Sequence, residues 1–274
     1  MSENPLKHYF RRPSIYIKLP SGGEGYNQQI VEKSDSGEYP VYPMSAIDEV
    51  TSRTPDALFN GHAVVDIIKS CVPAIKDPWK ITSVDLDAVL IAIRIASSGD
   101  TMDIVCTCPK CNNENNFGIN MVQLLSSRQN VDYKKTLKIR DLEIKFRPLT
   151  FQEVNKNSMS QYEVQKMLMA INGIENEEER AEETRKAMKY MNELTTDIIT
   201  NTIDWIKTPE TMVEDKNFIK EFVNHCDRQT SAGIKEFGIK LREENVLPQL
   251  DVKCSACENE FVTPLVLNYS DFFV

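Results

Sequence analysis

The sequence predicts a mainly α chain with small β elements, an α+β fold. It has a helical core, an extended N-terminal arm and one small module built by two distant cysteine pairs. Three observations carry that expectation. Stretches within 45–98 and 150–244 place apolar residues at helical spacing behind capping residues. Short runs within 14–19 and 136–146 alternate strictly, as half-buried strands do. Cys-x-x-Cys occurs twice, as Cys108-Pro109-Lys110-Cys111 and Cys254-Ser255-Ala256-Cys257.

The two cysteine pairs have matching surroundings. Each first cysteine follows an alternating run, Asp103-Ile104-Val105 or Leu250-Asp251-Val252. Each second cysteine is followed by Asn-Glu, Asn113-Glu114 or Asn259-Glu260, and then by Phe117 and Ile119 or by Phe261 and Val262. Two such half-sites supply four thiolates, the ligand set of a structural, zinc-ribbon-like site, with one zinc ion expected per chain. The long loop between them is no obstacle, because closure entropy grows only with the logarithm of length. A redox dithiol would not need two copies in matched settings. Disulfides are disfavoured because seven cysteines without a signal peptide point to a reducing compartment. One alternative stays open, in which each knuckle holds its own ion and Cys106, His225 or Cys226 joins in. Sharing of one ion across two chains is open as well. Four thiolates leave no open coordination position, so catalysis by the metal is not expected.

Element by element, residues 1–45 read as the extended arm: Ser14 to Leu19 alternates, and Pro20-Ser21-Gly22-Gly23-Glu24-Gly25-Tyr26 supplies a turn. Residues 46–125 read as a helical region ending in the first knuckle. Helical signals begin at Ser45, Thr54-Pro55 opens a turn, and Gly61 to Cys71 runs up to Pro73. Ser83 then caps a helix that is apolar nearly all round (Val84, Leu86, Val89, Leu90, Ile93, Ile95) and belongs at the centre of the fold, with Gly99 as its stop. Asp85 and Asp87 suit its first turn as dipole-favoured, solvated carboxylates, and Arg94 needs a partner or a route to the surface.

Residues 126–149 form a β-hairpin whose alternation breaks at Arg140-Asp141. Residues 150–247 are again helical. Thr150 to Glu153 is a capping box, 175–206 reads as one long helix with a charged first half, and two further helices cover Asp215–Cys226 and Thr230–Glu244. From Pro248 the chain turns to strand, the second knuckle and a C-terminal strand, 248–274.

Composition bounds the function. The chain is 41% hydrophobic and 27% charged over 274 residues, which is globular. A net charge of −9 opposes a phosphate-binding surface. Lys110 and Lys253 are the only bases at the knuckles, opposed by Glu114, Glu258 and Glu260, so a zinc-ribbon adaptor for nucleic acid or polymerase is the weaker alternative. The longest apolar run, Ala88 to Ile93, is too short to span a membrane, and no catalytic motif accompanies the three histidines His8, His62 and His225. The expectation is an intracellular, non-enzymatic protein that binds neither nucleic acid nor membrane.

One resemblance adds to this. Leu19-Pro20-Ser21-Gly22-Gly23 with Tyr26, Tyr42-Pro43-Met44-Ser45-Ala46 with Asp48-Glu49, Asn60-Gly61-x-Ala63, Cys71-Val72-Pro73, Asp85 to Arg94 and the first knuckle follow one another along the chain. Together they resemble the baseplate hub assembly proteins of T-even-type contractile-tailed bacteriophages. The resemblance implies a late viral protein of tail morphogenesis, a chaperone or scaffold acting on hub subunits or the tape-measure protein in the host cytoplasm. It either leaves or stays in the virion tail baseplate as a minor component, and the family supplies no catalytic residues. Leu19, Pro20, Ser21, Gly22, Gly23 and Tyr26, and the surface of 175–206, are the candidate partner contacts, with packing against the same chain as their alternative use.

Overall fold

The structure, a computed structural model, describes residues 4–53, 60–128, 132–244 and 249–265. The expected Thr54-Pro55 helix start, the Pro248 turn and the chain beyond 265 lie outside them. The fold is mainly helical with small sheets, as the sequence predicts. It divides into two compact units: residues 1–130 together with 245–274, and residues 131–244.

In the first unit, β1 (Ile15–Lys18) pairs antiparallel with β2 (Glu38–Val41). The sequence reads this segment as an arm, yet its inward residues Ile17, Leu19, Val31, Tyr39 and Val41 are all buried. Alternation on one face carried the reason: an apolar face of a two-stranded ribbon is stable only when something covers it. Here α3 (Ser83–Ser98) packs on both strands. α1 (Ala46–Ser52) starts with a capping box between Ser45 and Asp48, and α2 (His62–Cys71) packs against α1 and α3. The centre of the unit is Val64, Ile67, Ile68 and Cys71 with Leu86, Leu90, Ile91 and Ile93. Ten of the residues of α3 are buried, which is why its sequence has no polar face. β3 (Thr101–Thr107) and β4 (Glu114–Asn120) form a second ribbon, followed by the short α4 (Met121–Ser126), which the sequence pattern does not announce.

Two acidic residues of α3 differ from the solvated pair expected. Asp85 is fully buried, and its carboxylate accepts from the Ser21 amide (2.8 Å), the Ser21 hydroxyl (2.6 Å), Tyr26 Oη (2.5 Å) and Thr82 Oγ1 (3.3 Å). A buried carboxylate is tolerated because this many donors replace its water. Asp87 pairs with the nearly buried Arg128 guanidinium at 2.8 Å. Arg94 is half-buried and donates to Ser98 Oγ.

In the second unit, β5 (Thr136–Ile139) and β6 (Leu142–Phe146) meet at Arg140-Asp141, where Arg140 takes a left-handed φ of 53°. The sheet continues through β7 (Ile203–Lys207) to β8 (Met212–Val213) in the order β5-β6-β7-β8. The long helix expected over 175–206 therefore ends early: α6 covers Glu177–Thr202, and the chain turns into strand at Ile203. Ile203 and Ile206 suit either helix or strand spacing. The edge of β6 decides, because it offers backbone partners to a β-branched, aromatic run. Ile144, Phe146, Ile203, Ile206, Ile219, Ile234 and Leu241 form the core beneath α7 (Lys216–His225) and α8 (Arg228–Glu243). Gly233 lets α8 approach the sheet, since a Cβ there would sit 2.9 Å from Ile139 Cδ1. α5 (Phe151–Ile171) and α6 pair as a helical hairpin.

Candidate metal centre

Each knuckle is the turn of a β-hairpin: the first joins β3 to β4, the second joins β9 (Gln249–Lys253) to β10 (Glu260–Pro264). The two turns are built alike. The amide of Cys108 donates to Asn113 O and that of Cys254 to Asn259 O, both at 2.9 Å. Asn112 donates back to Cys108 O, and Glu258 to Cys254 O, at 2.9 and 3.0 Å. To close this way, the residue after each second cysteine adopts a left-handed conformation, φ 58° at Asn112 and 57° at Glu258. Asparagine tolerates this region well; glutamate does so less readily, so the turn geometry is being held by its surroundings.

Folding brings all four sulfurs of Cys108, Cys111, Cys254 and Cys257 within 4.8 Å of one another. Cys108 Sγ lies 3.7 Å from Cys257 Sγ, and Cys111 Sγ 3.6 Å from Cys254 Sγ. A disulfide would need about 2.05 Å. The edge of a tetrahedron of sulfurs around an ion at 2.3 Å is about 3.8 Å, so the spacing fits a shared metal ion. Both half-sites come from one chain, so a shared ion needs no second copy. Cys106 is buried in β3 and is not part of the cluster; His225 and Cys226 belong to the second unit.

The backbone prepares two of the sulfurs, those of Cys254 and Cys108, for a cation; at Cys111 the Asn113 amide lowers the thiol, but the neighbouring cysteines and burial outweigh it and push it up to about 12. Amides of Cys257 and Ala256 point at Cys254 Sγ and hold that thiol down to about 6, burial opposing them. At Cys108 burial raises the thiol, but the amides of Cys111 and Lys110 outweigh it and bring it below its ordinary value. Cys108 and Cys254 are buried, while Cys111 is exposed, so the site sits near the surface with one side closed.

Asn115 is a site residue that the sequence did not reveal. It is buried in β4, opposite Cys106. Its Nδ2 donates to Asn113 O (3.0 Å) and Cys106 O (3.3 Å) and approaches Cys254 Sγ at 3.7 Å. Its Oδ1 accepts from the Ser255 amide (2.8 Å) and hydroxyl (2.9 Å). One amide thus joins the first hairpin to the second knuckle independently of any ion. The available signal was its register: it takes the inward place of an alternating strand, where an apolar residue is the norm.

The other candidate residues lie elsewhere in the first unit. Leu19 is buried, and Ser21 and Tyr26 hold Asp85. Burial and the adjacent Asp85 carboxylate push the Tyr26 phenol well up, so it stays a donor. Gly22 and Gly23 take φ values of 67° and 77°, which only glycine adopts freely, and Gly22 is exposed at the turn with Pro20 half-buried beside it. The polar groups of this segment serve its own chain, and its backbone at Gly22 is what faces outward.

A family model described as T4 bacteriophage base plate protein matches residues 18–274. The chain belongs to that family. Both knuckles, the whole second unit and the first unit from residue 18 onward fall within the match, which gives the protein a place in the phage baseplate system. No curated protein and no solved structure matches the chain. Among the described residues, no helix is long and apolar enough to cross a membrane.

Proposed function

We propose that this base plate protein is a non-enzymatic assembly factor, a chaperone or scaffold that helps build the hub of the baseplate. Its clients are hub subunits or the tape-measure protein, met in the host cytoplasm. The family match over 18–274 carries the baseplate part of this reading. The assembly part is supported by apolar surface on the first unit: Leu6, Tyr9, Phe10, Tyr16, Ile47 and Val50 are each at least 58% exposed. They are surface that a partner would cover. The metal is zinc, one ion per chain, and its role is to hold the first unit in shape. No observation favours the nucleic-acid adaptor, and Lys253 is already paired with Glu258.

The test is co-expression with the other tail proteins of the same genome, followed by mass spectrometry of what co-purifies. A hub or tape-measure protein is the expected companion; recovery of the chain alone, or with nucleic acid, counts against the assembly role. Elemental analysis of protein purified without chelator should give one zinc per chain, and a metal-free product would remove the metal from the account.

A further inference from the structure

The four clustered cysteines are not equally placed. Cys108 and Cys254 are buried, Cys257 is half-buried and Cys111 is exposed. The sulfurs pair across the two knuckles: Cys111 Sγ lies 3.6 Å from Cys254 Sγ, and Cys108 Sγ 3.7 Å from Cys257 Sγ. A disulfide between Cys111 and Cys254 therefore needs an approach of about 1.5 Å, which turning the exposed Cys111 side chain supplies. The knuckles stay together while such a bond forms. Ser255, next to Cys254, donates its amide and its hydroxyl to Asn115 Oδ1 at 2.8 and 2.9 Å, and its hydroxyl lies 3.3 Å from Asn113 Nδ2. These bonds tie the second knuckle to the first hairpin without any ion.

We infer that Cys111 and Cys254 are a peroxide-reactive pair, a site of oxidative modification at which a metal-held clamp becomes a covalent one. The inference rests on the metal reading given above. Held by an ion, each of the four cysteines is a thiolate whatever its free tendency, and Cys111 is the one most open to a small oxidant. The Cys111 sulfur attacks one oxygen of hydrogen peroxide, the O–O bond breaks and hydroxide leaves, giving a sulfenic acid. The Cys254 sulfur then attacks the Cys111 sulfur, the S–O bond breaks and a second hydroxide leaves. The two sulfurs together lose two electrons, the peroxide gains them, and two protons from solvent turn both hydroxides into water. Two thiolates remain, too few for a closed tetrahedral zinc site, so the ion is given up. The choice of partner matters for the fold. Cys111 and Cys254 are 143 positions apart, so their bond closes most of the chain and keeps the final ribbon joined to the first. A bond inside one knuckle would close only a Cys-x-x-Cys turn and leave the ribbons free to part.

The test treats the full, zinc-loaded chain, its zinc content first verified by elemental analysis, with a small excess of hydrogen peroxide. Zinc release is followed with a chromophoric chelator, and free thiols are then alkylated and the bonds mapped by tryptic digestion without reductant. Trypsin cuts after Arg94, Lys110, Arg128 and Lys253, so Cys108, Cys111 and Cys254 fall on three separate fragments. The expected product joins fragment 111–128 to fragment 254–274 in step with zinc release, and fragmentation between Cys254 and Cys257 places the bond on Cys254. Hydrogen exchange should show the oxidised first unit still protected in excess chelator, where the untreated chain loses its protection. A bond from 111–128 to 95–110, a bond on Cys257 instead, or zinc release without a bond overturns the inference, as does a chain that peroxide leaves unchanged. Loss of first-unit protection on oxidation overturns it too. A chain that takes up no zinc removes the metal reading and this inference together, whereas any wrong bond in a zinc-loaded chain removes this inference alone.

Discussion

Helices α3 and α6 solve opposite problems in the same chain. α3 buries ten residues, contributes its apolar side chains on almost every side and leaves no room for a charged face. α6 is longer, yet only Ala187 and Thr200 are buried, and its surface is held by pairs such as Lys186 with Glu182 and Glu183. Each such pair stabilises a helix by only about 0.2–0.5 kcal/mol, whereas each fully buried aliphatic side chain stabilises by about 1.5–3 kcal/mol. The first unit is therefore held from inside, and its four clustered sulfurs could hold a metal ion as a further clamp. The second is held by a sheet core, with a hairpin whose faces are largely open to solvent.

The largest test of that contrast is removal of the metal. A structural ion of this kind contributes on the order of 10 kcal/mol of apparent folding free energy, comparable to a typical unit's whole stability. Chelation, or Cys108→Ser, should unfold the first unit and leave helical protection in 150–244, as read by hydrogen exchange. Uniform loss across both units would show that they are not independent in stability. Next, Ile91→Ala should cost about 2–5 kcal/mol in thermal or denaturant unfolding, while Met169→Ala, on the open surface of α5, should stay within about 0.5 kcal/mol. Equal effects would erase the distinction between the helices.

Asn115→Ala sharpens the first unit further. It takes away the acceptor of the Ser255 amide and a donor to the Cys106 carbonyl, a loss of about 1–3 kcal/mol, and it should speed metal release to a chromophoric chelator. A variant with unchanged stability and release would reduce Asn115 to a spectator. The smallest effect is acid sensitivity, for which each unit has one reporter. Burial works against ionised Asp48, but donors from Ser45 and Ser70 and the Arg11 charge outweigh it and hold its carboxyl below the usual 3.8. Glu153 is likewise held below 4.5, where burial is outweighed by Arg147 and Thr150. With folded values depressed, each contribution is complete above the unfolded pKa and is lost as pH falls through the folded one. Asp48→Asn should flatten the acid limb of the first unit only and Glu153→Gln that of the second, followed by unfolding from pH 5 down to about 2.

The legible parts of the chain were those written in local pattern. The helix start at Ser45, the capping box at Thr150, the apolar helix whose cap the sequence placed at Ser83, one residue past the actual cap Thr82, and the hairpin around Arg140-Asp141 need only a few neighbours to be recognised. The cluster of four cysteines was legible because two Cys-x-x-Cys pairs in matched settings have few other uses. What stayed hidden depended on partners distant in sequence. Ile203 becomes strand only because β6 offers an edge; Asp85 becomes buried only because Ser21 and Tyr26 arrive to bond it. The segment read as an arm is core for the same reason: α3, far along the chain, covers it.

One consequence of the clamp concerns time rather than space. Cys108 and Cys257 are 149 residues apart in sequence, and the whole second unit is synthesised between them. At 5–20 residues per second, the first half-site waits roughly 7–30 s for its counterpart, while 131–244 emerges as a continuous stretch able to fold on its own schedule. A chain cut short anywhere before Cys254 keeps an unclosed half-site and a first unit without its final ribbon. The four sulfurs can therefore come together only in a chain that has been made past Cys257.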